Sequence, residues 1–265
     1  MAERLDLVRE ELRDLAREIV ARDGEPSEPY GVYAFPSDAP GARLARWLEG
    51  EVFGRFFGNT PEMLDAEYKP FDDATVFLCV VDQRRGVPAG MMRLILPSAQ
   101  GLKTLHDLSH FATTPVDAAI AESGIDLDDT WDVTTIAVDD EYRRTSGGLV
   151  SIALYQCLGV ATRRFDTRGL VAVMDLIALD LVQQVTHDVF DRFPGTEPAR
   201  YLDSPASLPV YSDLHRYWPR LRDEDATAFA LFAEGHGMEE IVRQPTPDGF
   251  DEAFAPARRL SRSRG

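Results

Sequence analysis

The sequence predicts a single α/β domain, and three observations lead to it. Two apolar runs, TVFLCVVD at 75–82 and AGMMRLIL at 89–96, flank the segment QRRGVP, a β-hairpin pattern with Gly86 and Pro88 in the turn. The β-branched run WDVTTIAV at 131–138 is a strand. It leads through the loop DDEYRRTSGG and the apolar helix LVSIALYQCLGVATRRF into a further strand, GLVAVMDL at 169–176. Finally, no internal repeat, low-complexity linker or sharp composition shift divides the chain.

The remaining elements follow from periodicity. Leu5, Val8, Leu12, Leu15 and Ile19 recur at three- and four-residue steps and make one apolar stripe on a helix over 2–22, which stops at the loop DGEPSEP. A short strand at 30–35 leads into a helix from about Gly41 to Phe57, then into a loop around EYKPFDD. Short helices are expected near GLKTLHDL and PVDAAIAE. After 176 a helix should run to about Phe193, followed by a strand, turn and strand over 199–212. Helices fill the C-terminal part, and the tail ARRLSRSRG is expected to be disordered. The implied organisation is an N-terminal helix (1–24), a main unit (25–222) and a helical extension with tail (223–265), forming one domain overall.

Composition narrows the function classes. The 265 residues can bury a substantial core, and 44% hydrophobic with 28% charged residues is ordinary for a soluble globular protein. No apolar run reaches the roughly 18 residues of a membrane span, and the N-terminus is a charged amphipathic helix rather than a signal peptide, so a cytoplasmic protein without membrane association is expected. A net charge of -17 argues against nucleic acid, which demands an excess of cationic side chains. Of the 28 cationic residues only Lys69 and Lys103 are lysine, an arginine bias expected of a GC-rich bacterial genome. Cys79 and Cys157 lie within apolar runs and read as small buried hydrophobes, with no disulfide. His106 and His110 are four apart but lack an HExxH context, so no metal site is expected, and no GxSxG, Walker A or Rossmann fingerprint occurs.

Chemistry concentrates after the 131–138 strand. A loop ending in Gly147 and Gly148 can turn tightly, bring backbone N–H groups to an anion and aim a helix N-terminus at it, with Arg143 and Arg144 adding charge-assisted contacts. The same residues also read as a solvated turn capped by Ser146 and Gly147.

The segment VDDEYRRTSGGLVSIALY resembles the acyl-CoA-binding motif of the GNAT superfamily, registering as Arg143, Arg144, Thr145, Ser146, Gly147, Gly148, with Ser146 where the family usually has glycine. Over roughly 45–150 the chain further resembles acyl-homoserine-lactone (autoinducer) synthases. The shared landmarks are Val52-Phe53, Glu67 and Asp72, Gly90 with Arg93-Leu94, Pro97-Ser98 and Trp131-Asp132, although Thr134 and Thr135 stand where that branch carries an arginine. The resemblance implies a GNAT-like mixed, mostly antiparallel central sheet flanked by helices, with a V-shaped splay between the central strands. It implies an acyltransferase moving an acyl group from a phosphopantetheine thioester, on CoA or on acyl carrier protein, to the amine of a small molecule in specialised-metabolite or signal biosynthesis. Ile136, Val138 and 143–148 would hold the thioester's carrier arm, with Arg93, Asp72, Trp131 and Phe53 at the substrate. The other reading is a GNAT-like protein that binds an acyl ligand or partner without catalysis.

Physical reasoning supplies the roles. An ammonium cannot attack a thioester, so a base is required; Asp132 and then Glu67 are the candidates. If the 89–96 and 131–138 strands are neighbours, Arg93 and Asp132 lie inside apolar runs, where a charge must be paired; a mutual ion pair or a substrate contact is expected, serving either sheet stability or, with Glu67 and Asp72, the acceptor ammonium. Strict alternation places Asp132, Thr134 and Ile136 on one face and Trp131, Val133 and Thr135 on the other. The resemblance implies an oxyanion held by backbone N–H groups of this strand, with Thr134, Thr135 and Ile136 nearest. Many acetyltransferases of the superfamily protonate the leaving thiolate with a tyrosine on the helix after 169–176; that helix has none here, and His187 is its only comparable group.

Overall fold

The structure, a computed structural model, describes residues 2–22 and 24–255; the tail expected to be disordered lies outside the described residues. Eleven α-helices are described: α1 (Ala2–Arg22), α2 (Ala42–Phe57), α3 (Pro61–Tyr68), α4 (Lys103–Asp107), α5 (Val116–Ser123), α6 (Asp140–Thr145), α7 (Leu149–Arg164), α8 (Leu176–Thr186), α9 (Leu214–Glu224), α10 (Ala226–Glu234) and α11 (Pro247–Ala253). The strands are β1 (Tyr30–Pro36), β2 (Thr75–Asp82), β3 (Val87–Ile95), β4 (Thr130–Val138), β5 (Gly169–Asp175), β6 (Asp191–Arg192), β7 (Ala199–Tyr201), β8 (Ser204–Asp213) and β9 (Val242–Arg243). They form one sheet in the order β6-β8-β5-β4-β3-β2-β1-β9, with β7 also on β8. Only β4–β5 and β1–β9 pair in parallel; the other pairs are antiparallel. The expected mixed, mostly antiparallel α/β sheet is therefore present.

Two faces of this sheet bury two different cores. On one, Met92, Leu94, Trp131 and Val133 pack with α7 and with the C-terminal Phe229, Phe232, Phe250 and Phe254. On the other, Phe77, Cys79, Met91 and Ala137 pack under α1 and α2. Each large apolar side chain so buried contributes about 1.5–3 kcal/mol. The C-terminal helices share the main core rather than forming a separate layer. Gly159 shows how close the approach is: a Cβ there would lie 2.0 Å from the Phe232 carbonyl oxygen, so only glycine lets α7 meet α10 at this point.

Four sequence expectations need correction. The hairpin turns at Gly86, which has φ +63°, while Pro88 already belongs to β3. The loop around EYKPFDD is mostly helical: Thr60 caps α3 by accepting from the Met63 N–H at 3.2 Å, Pro61 preorganises its first turn, and a 3-10 turn continues to Ala74. Residues 140–145 are helical rather than loop, because the Asp139 carboxylate caps the Glu141 N–H at 2.9 Å and Asp140 pairs with Arg143 and Arg144 one turn on. The helix after β5 stops at Thr186, not Phe193. His187 and Asp188 take φ values of 53° and 54°, which break the helix and free Asp191–Arg192 to pair with β8.

Candidate functional site

A cleft opens within the sheet between β4 and β5. These strands pair only through Thr130–Asp132 and Gly169–Val171. Beyond Asp132, β4 stays with β3 while β5 stays with β8 as far as Asp175, so the two inner edges part. A β-bulge drives the divergence: Arg93 pairs with Thr135 and Leu94 with Val133, leaving Thr134 as the extra residue and increasing the local twist. The splay follows the sequence expectation, but the bulge overturns strict alternation. Thr135 joins Asp132 and Ala137 on the α2 face, while Val133 and Ile136 face α7.

On the α7 face the splay holds an apolar cavity of about 50 Å³. Val133 and Ile136 of β4, Met174 at the end of β5, Leu158 of α7, Val182 of α8 and Trp218 of α9 are among its walls.

The opposite face carries a polar cluster beside the α2 core. Arg93 and Glu49, 3% and 2% exposed at their side chains, form a bidentate pair in which Nε donates to Oε1 at 3.0 Å and Nη2 to Oε2 at 2.5 Å. Thr135 donates to the same Oε1 at 2.5 Å, and the guanidinium lies 4.3 Å from the Tyr68 ring centre and 4.7 Å from that of Phe77. The expected Arg93–Asp132 pair is therefore corrected: Glu49, projecting from the buried side of α2, outcompetes Asp132 for the fork. Asp132 instead accepts from the Thr104 backbone N–H at 2.6 Å and the Thr104 hydroxyl at 2.8 Å. Burial pushes its pKa up to about 7, against the lowering effect of both Thr104 bonds and of Lys103. As the last β4 residue before the strands part, Asp132 stands at the vertex of the splay.

Beside it lies a second ionic group. Lys103 Nζ pairs with Glu67 Oε1 at 2.6 Å and with Asp107, and donates to the Tyr201 hydroxyl at 2.9 Å. Glu67 thus sits in the polar cluster but is bound to a lysine. Asp72 lies apart, held by Arg46 at 3.0 Å. Trp131 is also away from this cluster: it is 3% exposed and stacks on Phe254, with ring centres 5.0 Å apart, because odd positions of β4 before the bulge face the α7 core. Phe53 packs on Phe57 at the edge of the α2 core. Thr134 is half-buried at the bulge, its hydroxyl 3.4 Å from the Arg93 carbonyl.

The Gly147–Gly148 turn precedes α7 with φ values of 59° and 87°, left-handed conformations that favour glycine, and no side chain caps the helix. Among the described residues no backbone carbonyl accepts from the Gly147 or Gly148 N–H. Arg143 and Arg144 are exposed and shared with Asp140; Arg143 also lies 4.3 Å from the Phe56 ring centre. Thr145 donates to the Glu141 carbonyl, and the Ser146 hydroxyl is buried without a partner among the described residues. His187 lies 3.3 Å from Asp225 at the end of α8. No group of His, Cys, Asp and Glu among the described residues could hold a metal, and no described helix is long and apolar enough to cross a membrane.

Sequence reasoning missed Glu49, Tyr68, Lys103 and Thr104. Glu49 could have been found, since it lies on the same helical face as Leu44, Ala45 and Leu48, where a carboxylate needs a cation. The others depend on loops whose course the sequence does not dictate.

A mixed sheet splayed at its centre, with a helix starting at a glycine turn beside the opening, defines the GNAT-like fold. No protein-family model matches the chain, and no curated protein matches it in sequence. Among solved structures it resembles the CoA-dependent acyl-homoserine lactone synthase BjaI, determined with SAM and isopentyl-CoA, at 17% identity and TM-score 0.50 over 84% of this chain and 98% of that one. It also resembles FeeM, an N-acyl amino acid synthase from uncultured soil microbes, at 12% identity and TM-score 0.53 over 74% of this chain and 97% of the other.

Proposed function

We propose that the protein is an N-acyltransferase that moves an acyl group from a phosphopantetheine thioester to the amine of a small molecule. The observation that carries the reading is the apolar cavity inside the β4–β5 splay with an ionisable carboxylate, Asp132, at its vertex. An acyl chain fits a wall of Val133, Ile136 and Leu158, and the unpaired inner edges of β4 and β5 offer backbone groups to the amides of a pantetheine arm. The Gly147 and Gly148 amides and the N-terminus of α7 suit its phosphate. The names of the two neighbours, an acyl-homoserine lactone synthase and an N-acyl amino acid synthase, agree with this reading.

In the proposed reaction donor and acceptor approach from opposite faces. The donor lies on the α7 side, and the acceptor ammonium meets the acidic groups on the α4 side, where Glu49, Glu67, Asp107 and Asp132 outnumber Arg93 and Lys103. Asp132, whose pKa near 7 matches a general base, takes a proton from the ammonium; the freed nitrogen lone pair attacks the thioester carbon. Backbone N–H groups of β4 beyond Asp132, among Thr134, Thr135 and Ile136, would receive the oxyanion. The C–S bond then breaks, the attacking nitrogen gives up its second proton to solvent and the thiolate takes one up, leaving neutral amide and free thiol, while Asp132 releases its proton to solvent. Arg143 and Arg144 before the glycine turn, and Arg163 and Arg164 in the last turn of α7, are the candidate cations for a CoA phosphate or for an acidic carrier protein.

The test is incubation of the full chain with a panel of acyl-CoA and acyl-carrier-protein donors and a library of small amines, read by mass spectrometry with thiol release. Equal amounts of N-acyl amine and free thiol are expected. A folded protein that consumes no donor while retaining a bound acyl ligand would instead be a binding protein.

A further inference from the structure

Two clasps join the β2–β3 hairpin turn to α6. In the first, the Tyr142 hydroxyl donates to Asp82 Oδ2 at 2.8 Å, while Asp82 Oδ1 accepts from the Arg84 and Arg85 backbone N–H groups at 3.1 and 3.0 Å. One carboxylate thus closes the hairpin turn with one oxygen and holds α6 with the other. In the second, the Arg85 guanidinium forks onto Glu141 at 2.8 and 3.1 Å and also donates to the Tyr142 hydroxyl at 3.1 Å. Tyr142 and Asp82 are 4% and 9% exposed, whereas the Arg85 and Glu141 side chains are about half exposed, so the first clasp is the stronger one. Burial and the neighbouring Asp82 push the Tyr142 pKa far above the usual phenol value, which keeps the group a donor.

What the clasp holds is the approach to the glycine turn. With six residues, α6 is too short to persist on its own. It runs straight into the turn: the Ser146 N–H donates to the Tyr142 carbonyl at 2.8 Å, and the Leu149 N–H to the Ser146 carbonyl at 3.1 Å. Tyr142 is therefore tied to the hairpin through its hydroxyl and to the turn through its carbonyl. Gly147 and Gly148 face open space where a Cβ would stand, so no neighbouring side chain braces the turn on that side. The Tyr142 ring keeps a separate contact, edge-on to Tyr30 with ring centres 6.1 Å apart, so loss of the hydroxyl alone loosens α6 without emptying its seat.

Resting on the acyltransferase reading, we propose that Tyr142 and Asp82 are positioning residues for the donor phosphates: their clasp fixes α6, and through it aims the Gly147 and Gly148 amides and the N-terminus of α7, without touching the donor. Amides that are already fixed bind an anion without a further ordering cost; amides that wander must be ordered by the ligand, and affinity falls.

The experiment measures calorimetric affinity for CoA, and KM and kcat with an acyl-CoA donor, for the full wild-type chain, Tyr142→Phe and Tyr33→Phe. Tyr33 is the control, because its buried hydroxyl donates at 2.9 Å to Gln83 in the same hairpin turn and ties that turn to β1. Each variant loses one buried phenol bond, so their melting temperatures should fall by similar amounts. Tyr142→Phe should weaken CoA binding and raise KM by about five- to tenfold with kcat within about twofold of wild type, while Tyr33→Phe keeps affinity and KM within about twofold. CoA affinity of Tyr142→Phe within about twofold of wild type, an equal loss in Tyr33→Phe, or a fall in kcat with KM unchanged overturns the proposal. If CoA binds but no acyl group is transferred, the acyltransferase reading fails on its own and the three affinities decide the clasp. If CoA does not bind, inorganic pyrophosphate is the probe for the same three proteins, and a wild type that does not bind it either overturns the proposal.

Discussion

The two faces of β3 and β4 are built from the same strands, and both bury apolar side chains, but only one of them also carries a cluster of buried charges. Toward α7, Met92, Leu94, Val133 and Ile136 meet aliphatic and aromatic side chains and leave an apolar cavity. Toward α2, α3 and α4, Arg93, Thr135 and Asp132 meet Glu49, Tyr68 and Thr104, and every side chain in that set has a polar or ring partner. The period-2 alternation of a strand produces two faces, but it takes the bulge at Thr134 to bring Asp132 and Thr135 onto one of them. A single extra residue thus concentrates the polar groups on one side and opens the sheet for an apolar chain on the other.

The largest effect is expected from breaking the polar face at its most buried pair. Arg93→Ala leaves the Glu49 carboxylate without its fork in a fully buried position, a loss of about 3–5 kcal/mol. Differential scanning calorimetry should show the melting temperature falling by roughly 10 °C or more. The double variant Glu49→Leu, Arg93→Met removes both charges and should recover most of that loss. A single variant as stable as wild type would mean that the pair is not buried as described.

Asp132→Asn separates chemistry from stability on the same face. Its amide can still accept from the Thr104 N–H and can donate to the Thr104 hydroxyl, so the fold should hold while kcat falls by about 10²–10⁴. In wild type the rate should climb as pH rises through about 7 and then level, since the carboxylate is the active form. Stability runs the other way. The folded pKa lies above the ordinary carboxylate value, so between about pH 4 and 7 the folded state holds a proton that the unfolded state has released. The Asp132 contribution is then present at low pH and lost on raising it, by at most about 1.4 kcal/mol per pH unit. Denaturation of the two proteins across that range should show the Asn variant losing less; parallel curves would place the titration elsewhere.

How far the sequence revealed these faces depended on the range of the interaction. Apolar runs and a β-branched strand are local signals, and they located the hairpin, β4, α7 and β5 closely. The glycine turn was visible because positive φ demands glycine. The partner of Arg93 is not visible in this way, since strand adjacency suggests Asp132 while the structure takes Glu49 from 44 residues upstream. The resemblance puts Trp131 on the substrate side, yet its strand parity sends it to Phe254, an aromatic near the far end of the chain that no local pattern connects to it. The bulge has no strong sequence signature at Thr134-Thr135, and it alone reverses the facing of every later β4 residue.

The smallest effect is expected at the mouth of the splay, where the two faces meet solvent. Arg143 and Arg144 are exposed ion-pair partners of one carboxylate, Asp140, and such pairs contribute at most about 1 kcal/mol. Replacing both with alanine should move the melting temperature by no more than about 2–4 °C, far less than Arg93→Ala, because no buried group loses its counter-charge. The variant should still change donor use if these guanidiniums meet a phosphate beside Gly147 and Gly148: KM for acyl-CoA should rise by about three- to tenfold with kcat nearly constant, and the rise should shrink at high salt. A KM unchanged at low salt would leave the backbone amides of the glycine turn as the whole of the anion site, and would confine the role of Asp140 to pairing within α6 and with Arg55 of α2.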